Sequence, residues 1–148
     1  MIDVTVAAKV DRPVDEVFAF VAEMENEPQW HTDIVKAERL TEGAVREGTN
    51  YRIEFRPRPM SPSEGTVEIV EFEPNRRIVS RADMGNMKPK VTNLFEAANG
   101  GTDVTRRIQV ETSGLMGLMS PLMKGMVHRR NVEFLDNLRQ LLEENADA

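Results

Sequence analysis

The chain contains no cysteine. Disulfides, thiolate nucleophiles and cysteine-based zinc sites are excluded, and a reducing, cytoplasmic setting is expected. Histidine is nearly as scarce, with only His31 and His128, far apart in sequence. Two distant histidines make no ligand cluster, so no metal is expected. No glycine-rich phosphate loop and no nucleophile elbow around a serine is present, and no cofactor is expected. The longest unbroken apolar run is Val17 to Ala22, far short of a membrane span, so no stable membrane insertion is expected. Met1 to Val10 lacks a basic segment followed by an apolar one and does not read as a signal peptide. Basic residues are outnumbered, Lys+Arg 19 against Asp+Glu 25 for a net charge of -6, which argues against nucleic-acid binding.

The 148 residues suit one domain over 1–148, long enough to bury about 70% of its unfolded surface without a staple. No internal repeat is visible. Val4, Val6, Ala8 and Val10 alternate with polar or small residues, the pattern of a half-buried strand. Pro13, Asp15 and Glu16 suit a helix start, and Val14, Val17, Phe18 and Val21 continue at helical spacing to about residue 24. Asn26-Glu27-Pro28 breaks that helix, and Gln29-Trp30-His31 opens a second short turn.

The hydrophobic period then becomes alternating. Strands are expected near Ile34–Leu40, Asn50–Arg56, Thr66–Phe72, Arg77–Ala82, Val91–Ala97 and Thr102–Glu111. Glu73-Pro74-Asn75, Met84-Gly85-Asn86 and Asn99-Gly100-Gly101 are among the turns between them. Residues 56–65, rich in proline and serine, read as a loop. Ser120-Pro121 reads as the start of a helix running to about Glu144. Gly125 inside it marks a close approach or a need for room. The expectation is an α+β helix-grip fold. A seven-stranded antiparallel sheet curls around a long C-terminal helix, with two short helices after the first strand.

Several weak motifs in this order resemble one family. They are Asp11-Arg12-Pro13-Val14-Asp15-Glu16-Val17-Phe18, Pro28-Gln29-Trp30, Gly48-Thr49-Asn50-Tyr51, Glu71-Phe72-Glu73-Pro74-Asn75-Arg76-Arg77 and Gly100-Gly101-Thr102-Asp103-Val104-Thr105. Together they resemble the START-like or Bet v 1-like (SRPBCC) superfamily, and within it the bacterial polyketide cyclase/dehydrase and lipid-transport group. The resemblance implies a cavity between sheet and helix but no single reaction, since members bind, transport, cyclise or signal.

The candidate ligand contacts are then Trp30, Tyr51, Phe55, Arg106, Met119, Met123, Met126, Arg130 and Phe134. Met119, Met123, Met126 and Phe134 share one side of the long helix, with Arg130 in their stripe. Arg130 either pairs with an acid of the sheet, reaches an end of the cavity, or holds a ligand anion; ion-pair arginines are the commoner case. The methionines suit an adaptable pocket wall or lid, or plain core filling. Tyr51 and Phe55 share a face with Ile53. The Tyr51 hydroxyl then meets either a ligand or a backbone group. Arg106 shares a face with Val104 and Ile108, though a bulge or a one-residue shift of register would turn it to solvent, which is the commoner place for such a charge. Trp30 reads as a core or pocket-wall residue, and His31 as a surface residue.

Three functions compete. The first is binding of a small hydrophobic, lipid- or polyketide-like molecule. The second is a cyclase or aromatase, favoured if two or more polar groups converge in the pocket. The third is a protein-interaction module with a filled core and an apolar patch between Leu115 and Met126. A homodimer is compatible with all three.

Overall fold

Alternation of apolar and polar residues makes β1 (Ile2–Val10), whose inward side carries Ile2, Val4, Val6 and Val10. In this computed structural model, residues 1–57, 61–111 and 114–146 are described. Pro13 caps α1 (Val14–Ala22), which buries Val17, Phe18, Val21 and Ala22. A 3-10 helix over Met24–Gln29 follows. It contains Pro28, so the expected break is itself helical. Proline lacks only a donor there, and its fixed φ suits a tight short helix.

The remaining strands are β2 (Ile34–Arg39), β3 (Asn50–Phe55), β4 (Ser63–Glu73), β5 (Arg77–Asp83), β6 (Lys90–Ala98) and β7 (Gly101–Val110). They form one antiparallel seven-stranded sheet in the order β1-β7-β6-β5-β4-β3-β2. The β6–β7 turn is Asn99-Gly100, with φ of 51° and 82°. Positive φ at both positions matches the right-handed twist of the strands it joins. β4 starts at Ser63, inside the stretch expected to be a loop, because Ser63, Glu64 and Gly65 pair with Phe55, Glu54 and Ile53. Gly65 is required there: a Cβ would lie 2.5 Å from the Asp83 carbonyl and would strike the Met84 sulfur.

The C-terminal helix, α2 (Gly114–Ala146), begins before the expected Ser120-Pro121 start and carries Pro121 inside it. A proline costs a helix one backbone bond, and the flanking turns tolerate that loss. Gly125 has no close neighbour; a Cβ there would meet only the Arg129 side chain, at 3.8 Å. It leaves room and marks no close approach. α2 buries Asn131, Phe134, Leu135, Leu138 and Leu142 against the sheet. Phe18 joins α1 to that core, its ring edge-on to Phe72 and Phe95 at 5.4 and 5.2 Å. Such pairs add about 1 kcal/mol each beyond area burial. None of the described helices is long and apolar enough to cross a membrane.

Candidate ligand pocket

The pocket starts from a turn. The Glu27 carbonyl accepts the backbone N–H groups of Trp30 (3.0 Å) and His31 (2.7 Å). That places Glu27 and His31, four residues apart, on the same side of the turn. Both line a cavity of about 100 Å³ whose far wall is the sheet. β3 contributes Ile53 and Phe55, β4 Val67, and β6 Val91. The β5–β6 turn brings Met84, Met87 and Pro89 to its edge. Ser80, Asn93 and Arg106 complete the lining with polar groups.

Arg106 is the centre of the polar end, and it is only 4% exposed. Its partner strand explains the direction. β1 and β7 pair without a bulge from Ile2↔Val110 to Val10↔Thr102, with Val6 opposite Arg106. The expected turn of Arg106 to solvent does not occur: unbroken register keeps it on the inward face with Val104 and Ile108. Its Nε donates to Asn131 Oδ1 (2.9 Å) and its Nη1 to Asn93 Oδ1 (3.4 Å). Asn131 is held in turn through the Val127 carbonyl (2.8 Å). The guanidinium lies over the Trp30 ring, 5.3 Å from its centroid. Among the described residues its Nη2 has no hydrogen-bond partner and no carboxylate pairs with it directly. Burial lowers the Arg106 pKa, and Glu27 opposes that shift. Burial likewise raises the Glu27 pKa, opposed by Arg106.

His31 is buried, not a surface residue. Its ring stacks on Phe134 at 4.1 Å. Burial, then the charges of Arg106 and Arg130, push its pKa well below the usual value, so the imidazole is neutral. Its Nδ1 and Trp30 Nε1 are buried without a partner among the described residues. The His31 shift gives a pH expectation. A depressed imidazole stabilises the fold above the unfolded value of 6.5. Below it, the unfolded chain takes up a proton that the native chain refuses. Stability then falls by up to about 1.4 kcal/mol per pH unit. Glu27 acts with the opposite sign, because its raised pKa lets the native state hold a proton more readily. Urea midpoints measured between about pH 7 and pH 5 should therefore be compared with those of His31→Phe. The wild type should lose more stability on acidification than the variant; parallel curves would exclude a buried neutral His31.

Among the candidate contacts, Phe55 and Arg106 line this cavity. Trp30 and Phe134 stand behind it, supporting Arg106 and His31 respectively. Tyr51 is fully buried and donates its hydroxyl to the Glu23 carboxylate (2.8 Å). That carboxylate also pairs with Arg39, so the hydroxyl is engaged in the core away from the cavity. Met123 packs against the core and Met126 is half-buried, neither lining the cavity. The side chain of Met119 lies outside the described residues, as do those of the expected lid from Leu115. Arg130 pairs with Asp33 through Nη2 and Nε, and with Glu133 at 2.8 Å. It borders a different hollow of about 310 Å³ with Thr32, Asp33 and Arg56. The stripe that suggests a ligand arginine is therefore offset from the buried face of α2, and Arg130 sits on its edge. No described α2 side chain lines the cavity; the helix supports its polar end through Asn131 and Phe134.

Glu27, Met84, Met87 and Asn93 line the cavity without being among the residues expected from sequence. The four-residue spacing of Glu27 and His31 around Pro28 is a signal that points to two of its walls. Met84 lies inside a turn motif, whose local pattern signals only a reversal of the chain.

Comparison with known proteins agrees with this architecture. Residues 1–143 match the family described as polyketide cyclase / dehydrase and lipid transport. No curated protein matches the chain by sequence. The crystal structure of TTHA0849 from Thermus thermophilus superposes with a TM-score of 0.79 at 16% identity, covering 93% of this chain and 94% of that one. The di-domain ARO/CYC StfQ from the steffimycin biosynthetic pathway gives 0.79 at 14% identity, covering 99% of this chain and 52% of StfQ. Ara h 8.0201 gives 0.69 at 17% identity, covering 95% and 97%. These likenesses concern the fold. With the family match spanning nearly its whole length, the chain belongs to the polyketide cyclase/dehydrase and lipid-transport family.

Proposed function

We propose that the chain binds a small molecule with an apolar body and a polar head, the head seated against Arg106. One observation carries this reading: the Arg106 guanidinium, on a residue only 4% exposed, lines the cavity with no carboxylate paired to it among the described residues. A buried cationic donor is costly to leave unpaired, and an oxygen-bearing ligand offsets that cost. The cavity, at about 100 Å³, is smaller than the ~300 Å³ and more typical of drug-sized ligands. It suits a head group and the first part of a body, with the rest leaving past Met84 and Met87. Flexible methionines at that edge suit tails of varied shape.

Native mass spectrometry of the protein purified from its own host tests the reading. A co-purifying amphiphile with an oxygen-bearing head is expected. An empty protein that also shows no thermal shift with hydrophobic acids and amides removes it.

A second reading is a cyclase-type enzyme. The convergence of Glu27, His31 and Arg106 on one cavity favours it. Arg106 then polarises a carbonyl while the neutral His31 or Glu27 takes a proton. A ligand whose mass or absorbance changes with time in the presence of protein separates this reading from simple binding.

A further inference from the structure

Glu27 and Arg106 line the same small cavity, carry opposite charges and make no direct ion pair. The ordinary fate of a half-buried carboxylate close to a buried guanidinium is a bidentate contact. Here Asn131 and Asn93 hold Nε and Nη1 of Arg106 instead, and both Glu27 and Arg106 line the cavity. A head group seated in that cavity meets both a guanidinium donor and a carboxylate. A neutral head that both accepts and donates, such as an amide, an enol or a carboxylic acid, satisfies both. A carboxylate satisfies Arg106 but faces Glu27.

We infer that an acidic ligand enters this pocket together with a proton, so that its carboxyl group and Glu27 share one hydrogen between two oxygens beside Arg106. This rests on the ligand-binding reading above and adds the chemical class of head group the site selects. The groups facing Glu27 fit it. Arg106 from β7 is the charged neighbour, and His31 on the same turn is neutral. Asn93 of β6 and Ser80 of β5, which line the cavity, and Asn131 of α2, which holds Arg106, carry no charge. The cluster thus holds one cation, which can balance one carboxylate but not two. Two carboxylates in a partly dry site repel strongly enough that one of them keeps its proton. Burial already disposes Glu27 to do so.

The test uses hexanoate and hexanamide as probes, titrated calorimetrically into the whole protein in buffers of different ionisation enthalpy. Over a series from about pH 6 upwards, proton uptake on hexanoate binding should rise with pH and reach about one once Glu27, whose pKa burial raises, has ionised in the free protein. Hexanamide should bind with none. Hexanoate affinity should fall about tenfold for each pH unit above that, while hexanamide affinity stays level. In Glu27→Gln, hexanoate should bind without proton uptake, and its affinity should no longer fall with pH. Hexanoate binding to the wild type without proton uptake overturns the inference but leaves the binding reading standing. So does hexanamide binding with no hexanoate binding at all. Failure of both probes to bind overturns both. The proton count in the wild type does not depend on how well the variant folds.

Discussion

Replacing Arg106 with methionine should weaken hexanamide binding by about 10- to 100-fold, the loss expected for a charge-assisted hydrogen bond in a dry site. The stability change should be far smaller. Methionine fills much of the same volume and removes a desolvated charge, but leaves the Asn93 and Asn131 oxygens without their donor. These effects oppose each other, and a net change within about 1 kcal/mol is expected. Lysine should recover only part of the binding. A point charge cannot hold Asn131 and present a second fork nitrogen to a ligand at once. Calorimetric titration and urea unfolding of the two variants give both quantities. Unchanged hexanamide affinity alongside a collapse in stability would make Arg106 a brace for the core and nothing more.

Arg130 should behave in the opposite way. Asp33 has a side chain only 8% exposed, and Arg130 is its cationic partner. Arg130→Met strands that carboxylate and should cost about 2–3 kcal/mol, towards the low end for a broken buried pair because Arg130 itself is 36% exposed. Asp33→Asn placed on top of Arg130→Met should restore most of the loss, since the amide needs no counter-charge. Hexanamide affinity should stay near wild type in both. Urea midpoints of the single and double variants are the measurement. A single variant as stable as wild type would show the pair to be worth nothing, as many surface pairs are.

The contrast between the two arginines shows what can be read from residues alone. Strand alternation is a period-two signal that survives without knowing the partner strand. It places Val104, Arg106 and Ile108 on one face, and only the bulge-free pairing with β1 is needed to settle the face. The helical stripe is less reliable. A difference of one position around α2 separates Arg130, on the edge with Asp33, from Asn131, buried beneath Arg106. Sequence spacing around a helix does not resolve that step until the neighbouring strand is known. The order of elements is legible because turns such as Asn99-Gly100 carry their own chemistry. The extent of β4 is not, because Ser63–Gly65 has the composition of a loop and is held as strand by its pairing with β3. The methionines of the pocket escape a reading of the residues for a related reason. Met84 reaches it through tertiary packing over Gly65, and Met87 from the same turn, which no local pattern encodes.

The chain has a single tryptophan, and Trp30 lies beneath the Arg106 guanidinium with its ring nitrogen buried and unpartnered among the described residues. Indole emission shifts with nearby charge and with hydrogen bonding at that nitrogen. The protein thus contains one indole, in contact with the residue proposed to anchor a ligand head. Occupancy can be followed by its emission without a label, and no other indole contributes background.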